Sequence, residues 1–424
     1  MPESVEVAQG AQVRAASKGR FYPWIIISLS AAFLFYKYVL QVSPGIMSSN
    51  LMQAFSINGA QLGNLAAVYF YGYLIVQLFA GPLLDKFGAR RVTPLAILSC
   101  ALGAFFFSQS QTLADAIFAR ILMGMGVGFA TVNYLKMASD YFHPRQFAFI
   151  GGLLATAVML GAVFGETPLV IILEKMGWRN MLLGVSFLGV GIAILFFFIA
   201  REKKSDHHYP KEAWTKQGLL KILKNPQNWL LTIYSGFAFS PIAVLGGLWG
   251  NPFLRAAYPM SLEEASFLLS WIFIGFGVGG PVLGFLSDKI RNRRLIMQLS
   301  AMVSFISLTT LLYCPGLSAL MIGFLMFMVG FCTGAFMLAF ALAKEINMSL
   351  MMATVVAMIN TGSDIFGALT EPVVGKFLDM HWQGQLVDGA RLFSVENYHY
   401  AFIILPIYLI LAWGILFFIP HEIK

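Results

Sequence analysis

The chain has 424 residues, 58% of them hydrophobic and only 11% charged, with a mean hydropathy of +0.75 and a formal charge of +8. A soluble chain carries about 25% charged residues, so this one lacks the polar surface that water requires. A soluble enzyme, a nucleic-acid reader and a secreted domain are excluded, and the meaning of the positive charge depends on which loops carry it.

The first 20 residues read as a polar tail, with Arg14, Lys18 and Arg20 just ahead of the first apolar run. That run is too long for a signal peptide and lacks a small-residue cleavage site. Crossing a hydrocarbon core of ~30 Å takes about 20 apolar residues. Twelve stretches serve, at 22–44, 59–84, 92–108, 113–138, 147–172, 180–200, 229–253, 263–286, 294–314, 317–343, 350–375 and 399–419. None alternates as barrel strands do, so the spans are read as helices, which satisfy their backbone within lipid. The expected class is an all-α polytopic membrane protein.

The polar stretch 201–228 divides the spans six and six. The organisation expected is a cytoplasmic tail (1–20), a six-helix bundle (21–200), a cytoplasmic linker (201–228) and a second six-helix bundle (229–424). Apolar positions from Trp214 to Leu223 suggest a short helix on the inner leaflet, where the neighbouring lysines favour anionic lipid. Phosphate binding is the alternative use of that cluster. Cys100, Cys314 and Cys332 lie in apolar runs without metal-ligand spacing, so neither a disulfide nor a zinc framework is expected.

Lysines and arginines set the orientation, because positive loops stay in the cytoplasm. With the N-terminus inside, 21 of the 28 fall on the cytoplasmic side, and five (Lys175, Arg179, Arg255, Lys376, Arg391) fall outside. Both termini are therefore expected in the cytoplasm of a cell whose inner membrane holds the protein. The remaining two, Lys37 and Arg120, lie within spans.

An internal repeat follows. Gly81, Asp85, Lys86, Arg90 and Arg91 after span 2 are each matched 203 residues later, by Gly284, Asp288, Lys289, Arg293 and Arg294 after span 8. Two bundles related by an axis along the membrane normal place a site between them near the midplane. The glycines allow close approach of a neighbouring helix, and Asp85 is placed to bond a helix N-terminus or a base on it. Such contacts latch helices in one conformation and release them in another. The plainer reading is that these charges serve only to orient a short loop.

The segment Gly81-Pro-Leu-Leu-Asp-Lys-Phe-Gly-Ala-Arg-Arg91 resembles the loop 2-3 signature of the major facilitator superfamily, with Ala89 standing where a basic residue is usual. Arg120-Ile-Leu-Met-Gly-Met-Gly126 in span 4 is similar to that family's Arg, three residues, Gly, one residue, Gly. Span 5 has no clear antiporter motif, since Gly161 to Pro168 reads Gly-Ala-Val-Phe-Gly-Glu-Thr-Pro, which weakens a drug-export reading. The resemblance covers the whole chain and implies the major facilitator fold, two pseudo-symmetric bundles working by alternating access. More narrowly, Leu40 to Pro44, Tyr69 to Tyr71, Gly161 to Pro168, Gly177 to Arg179 and Glu371 to Gly375 look like the phagosomal nutrient transporter branch of intracellular bacteria. That likeness implies import of amino acids, or in some relatives of nucleosides or siderophores.

Charges inside spans cost ~3 kcal/mol or more and need compensation. At 1.5 Å per residue, Lys37 lies roughly 22 Å up span 1, Asp364 about 21 Å up span 11, and Arg120 about 10 Å down span 4 from the outer edge. At similar depth, the three are placed to line one cavity. A zwitterionic amino acid needs a cation for its carboxylate and an acceptor for its ammonium, which Lys37 or Arg120 and Asp364 would supply from opposite halves. The bland alternative is that each charge bonds within its own bundle. Gln41 and Asn360 share those faces one turn away, and Tyr36 and Tyr38, which flank Lys37, with Tyr69 and Tyr73 of span 2 are candidate contacts, though such rings also serve as filling. The resemblance assigns the Arg120 position to proton coupling or substrate charge.

Glu166 and Glu371 fall near the outer ends of spans 5 and 11. One reading makes Glu166 a proton carrier, beside Arg120 and Asp364; the other makes both acids outer-gate or helix-end residues in water. The function expected is a secondary transporter, acting as a monomer, that imports a small polar nutrient, an amino acid first, with protons. No cofactor, metal or nucleic acid is expected. A siderophore or nucleoside carrier is the rival within transport; a polytopic membrane enzyme or receptor is the rival from another class, and the short loops offer no cluster for chemistry.

Overall fold

The computed structural model describes residues 3–143, 146–201, 222–347 and 352–419. The inner-leaflet helix and lysine cluster expected in the linker lie outside them. Among the described residues seventeen α-helices run in chain order. The first half contains α1 (Glu3–Ile46), α2 (Ser48–Phe55), α3 (Gly59–Phe87), α4 (Ala89–Gln109), α5 (Leu113–Val127), α6 (Ala130–Tyr141), α7 (Phe147–Phe164) and α8 (Thr167–Ile199). The second contains α9 (Pro226–Pro241), α10 (Gly250–Ala257), α11 (Leu262–Ile290), α12 (Arg293–Tyr313), α13 (Ala319–Thr333), α14 (Met337–Ile346), α15 (Met352–Met380), α16 (Val395–Phe402) and α17 (Ile404–Ile415). A two-stranded hairpin, β1 (Leu386–Val387) and β2 (Ala390–Arg391), stands between α15 and α16.

These helices make twelve membrane spans. Helices α5 and α6 form span 4, α13 and α14 span 10, and α16 and α17 span 12. Span 7 joins α9 to α10 through a π-helical stretch, Ile242–Trp249. Nine described stretches are long and apolar enough by composition alone. One of them, Leu153–Ile199, is two spans, because Gly177 breaks α8 with a φ of 78° that a side chain would resist. The bent α3 and the polar α15, which carries Asn360, Asp364 and Glu371, complete the set.

The halves repeat each other. In the first, α3 packs on α5, α4 on α8 and α1 on α7; in the second, α11 packs on α13, α12 on α17 and α9 on α15. Gly72 and Gly275 stand at equivalent places, again 203 residues apart. A methyl group on Gly72 would lie 2.6 Å from the Ile121 carbonyl oxygen, and one on Gly275 would collide with the Phe327 carbonyl. Backbone therefore touches backbone where spans 2 and 4, and spans 8 and 10, cross, the close approach that replaces hydrophobic drive inside lipid. The halves meet along α3 with α15, α7 with α11, and α1 with the π-helical part of span 7.

One face of the molecule carries the termini; the other is called distal below. On the terminal face the repeated charges bond within their own halves. Asp85 receives Lys136 of α6 at 2.5 Å, while Arg293 reaches Asp288 at 3.1 Å and Glu345 at 2.7 Å. Lys86 and Arg90 rest near the rings of Phe87 and Phe197. Nothing lies within 4 Å of where a methyl on Gly81 or Gly284 would be, so the close approach expected at those glycines is absent in this conformation. The distal face is sealed instead. A methyl on Gly63 of α3 would meet the Glu371 carbonyl oxygen and the Pro372 Cα of α15, both at 2.5 Å.

Candidate functional site

Helix α1 carries Lys37 to the middle of the interface between the halves, where it is 6% exposed. Its ammonium sits 4.3 Å from the ring centre of Tyr73 on α3 and 5.2 Å from that of Tyr38. Among the described residues no carboxylate stands within 4.0 Å of it. A desolvated cation gains about 2 kcal/mol over a ring face, which offsets much of the cost of its depth while leaving its hydrogen-bonding capacity for another partner.

The opposite half answers from α15. Asn360 Nδ2 donates to Asp364 Oδ2 at 3.2 Å and lies 3.4 Å from the Tyr73 hydroxyl. Asn360 and Asp364 are one helical turn apart and so share a face. A cation on two rings in one half, and a carboxylate with a carboxamide in the other, are thus bridged by Tyr73. Gln41 and Tyr38 border a cavity of about 20 Å³ between α1, α7, α9 and α11, with Met159, Phe239 and Phe276 on its far walls. That is room for about one water.

Arg120 stands elsewhere. It is 1% exposed and bound inside the first half, donating to the Leu40 carbonyl at 2.9 Å and the Ala66 carbonyl at 3.3 Å, with Tyr69 4.6 Å beneath it. Tyr69 in turn donates its hydroxyl to the Lys37 carbonyl at 3.0 Å. Together they brace α1, α3 and α5 behind Lys37. Tyr36 faces the other way, into its own half, where its hydroxyl presses on Gly189 of α8. Of the two tyrosines that flank Lys37 in sequence, Tyr38 is the one whose ring lies beside its ammonium.

Glu166 and Glu371 are buried, at 0% and 1% exposed, which corrects the reading that places them in water. Both occupy the sealed distal interface. Glu166 Oε2 accepts from Asn251 Nδ2 of α10 at 2.8 Å, and its Oε1 has no partner. Glu371 Oε2 is likewise unpartnered, and the Glu371 carbonyl accepts from the Trp249 indole at 3.1 Å. Glu166 meets the other half through Asn251, and Glu371 meets it through its backbone against Gly63, so the neighbours of both change when the halves part. Nothing in the spacing of Asn251 or Trp249 marks them as partners, because the contacts join residues 85 and 122 apart in sequence.

A family model described as the Major Facilitator Superfamily matches residues 25–369. The "Probable L-galactonate transporter" of Escherichia coli (strain K12) is 23% identical over 273 residues, covering 59% of this chain and 58% of that protein. The "Hexuronate transporter" of Bacillus subtilis (strain 168) is 23% identical over 285 residues, covering 63% and 64%. The chain thus spans about three fifths of the length of these relatives. A "4-hydroxybenzoate transporter" of Acinetobacter baylyi is 24% identical over 313 residues, covering 65% and 67%. Among solved structures, an inward-facing, occupied bacterial homolog of the human lysosomal transporter Spinster superposes with a TM-score of 0.78 at 14% identity, covering 94% of this chain and 97% of the other. A nucleoside transporter superposes at 0.76 and 14%, covering 93% and 99%. At such identity the structures speak for the fold.

Proposed function

The chain belongs to the Major Facilitator Superfamily and is a secondary transporter, not an enzyme, and from that premise we propose that it carries a small organic carboxylate into the cell together with protons. The observation that carries this reading is Lys37, a cation held on ring faces with no acid in salt-bridge contact, at the seam between the halves. A carboxylate completes its hydrogen bonding, and Asn360 with Asp364 across the seam accepts hydroxyl groups from the same solute. The relatives named above handle galactonate, hexuronate and hydroxybenzoate, which ranks an organic acid ahead of the amino acid expected from sequence. An amino acid is the second reading, since Asp364 suits an ammonium.

Interface acids supply the coupling. Glu166 and Glu371, buried at the distal seam, and the half-buried Asp364 beside Asn360 sit where parting halves admit water, so each can exchange a proton with one side of the membrane at a time. With the termini inside, as the lysine and arginine balance favours, the distal face is the outer one and the bilayer is the inner membrane; a monomer suffices for the cycle.

A thermal-shift screen on purified protein tests the cargo, with galactonate, a hexuronate, 4-hydroxybenzoate and amino acids as probes. An organic acid should raise the melting temperature of the wild type and fail to raise that of Lys37→Ala. Loss in both Lys37→Ala and Asp364→Ala, seen with an amino acid alone, supports the second reading. Equal stabilisation of wild type and Lys37→Ala would remove Lys37 from the site.

A further inference from the structure

The hairpin between α15 and α16 forms a clasp over the distal mouth. Asp379 lies in the last turn of α15, the negative end of that helix dipole, a poor place for a carboxylate. Its compensation comes from the other half. Helix α3 starts at Gly59, and the first donors of a helix have no partner within it. Asn58 caps Gln61 at 2.9 Å, which leaves the Gly59 and Ala60 amides. Asp379 accepts from both, Oδ1 from Gly59 at 2.9 Å and Oδ2 from Ala60 at 2.8 Å. One carboxylate in the second half thus completes the cap of a helix in the first.

The clasp has a second member. Arg391 on β2 donates to Asp379 Oδ1 at 2.9 Å, and its guanidinium lies 4.2 Å from the ring centre of Trp382. The strands pair Leu386 with Arg391 and Val387 with Ala390 around Asp388-Gly389, whose φ values of 51° and 83° are those of a tight hairpin turn. Strand β2 rests on α2 of the first half. Beneath it, a methyl on Gly375 of α15 would collide with the Gly59 carbonyl, so no side chain separates the helices.

We infer that Asp379, held by Arg391, is a positioning residue of the transport cycle that keeps the distal mouth shut, and that the mouth opens only when this carboxylate leaves the α3 amides. The inference concerns the gate and is independent of the cargo. It differs from Asp85 and Arg293 on the terminal face, whose ion pairs among the described residues stay within their halves.

Spin labels at Gln111 and Glu263, exposed on the distal ends of the two halves, report the mouth, and labels at Phe87 and Ile290 report the terminal face. In Asp379→Asn the long-distance population across the mouth should rise about tenfold relative to wild type, the effect of losing roughly 1.4 kcal/mol of charge-assisted bonding, while the terminal-face pair draws together. Arg391→Gln should move both in the same direction by less, and Asp379→Glu should restore part of the closed population. A purely structural role would lower the melting temperature and leave the distances alone. Unchanged distances in a folded Asp379→Asn, or in Arg391→Gln should the former not fold, overturn the inference.

Discussion

At the scale of single residues, what compensates a charge in oil decides what that charge can do. Lys37 has two rings and, among the described residues, no acid in salt-bridge contact, whereas Arg120 is held by two carbonyls and a ring of its own half and keeps only a buried Nε unpartnered, so Lys37 is the freer of the two for a solute. Lys37→Ala should therefore weaken binding by about 2 kcal/mol or more, roughly 30-fold in Kd, as read by calorimetry. Arg120→Ala removes a brace from three helices, so it should lower the melting temperature as well as transport. If Glu166 carries a proton, Glu166→Gln should keep substrate binding and exchange while losing accumulation driven by a proton gradient; accumulation equal to wild type in proteoliposomes removes Glu166 from coupling. Lys37, Asp364 and Asn360 were legible in the sequence because a polar residue inside an apolar run must be compensated. Tyr38 against Tyr36 was not, since a helix apolar all round carries no stripe to show which side faces the seam.

Among elements, the glycines decide how near two helices come. Gly63→Val places two methyls and a Cβ where the Glu371 carbonyl and Pro372 stand, so α3 and α15 cannot meet at the distal end. The variant should populate the open mouth, seen as a larger long-distance population between spin labels at Gln111 and Glu263, and a wild-type distance distribution contradicts this. Gly275→Leu acts within one half, forcing α11 off α13, and should cost several degrees of melting temperature without favouring either face. The twelve spans were readable because lipid demands ~20 apolar residues for each, and the repeat at 203 because five residues recur at one offset. The broken helices of span 7 and the clasp hairpin went unread. Asp388-Gly389 is the usual signal of a tight hairpin, but it sits in a loop whose flanking residues give strands of only two residues each.

On the scale of the whole molecule, the contacts divide by face: the distal side joins the halves through α3 with α15 and through Glu166 with Asn251, while the terminal-face ion pairs among the described residues stay inside each half. In the alternating cycle we propose, this is the stage with the distal side shut, and a pocket between the two bundles faces each side in turn. The depth of Glu166 and Glu371 belongs to this scale too. Both look like helix-end residues along the chain, and only the docking of the second half buries them. The most direct measurement is uptake of a radiolabelled organic acid, a hexuronate or 4-hydroxybenzoate, by proteoliposomes under an imposed proton gradient, for wild type and for Lys37→Ala. The account predicts uphill accumulation by the wild type, abolished by a protonophore and lost in Lys37→Ala. Accumulation by Lys37→Ala at the wild-type rate and affinity would contradict it.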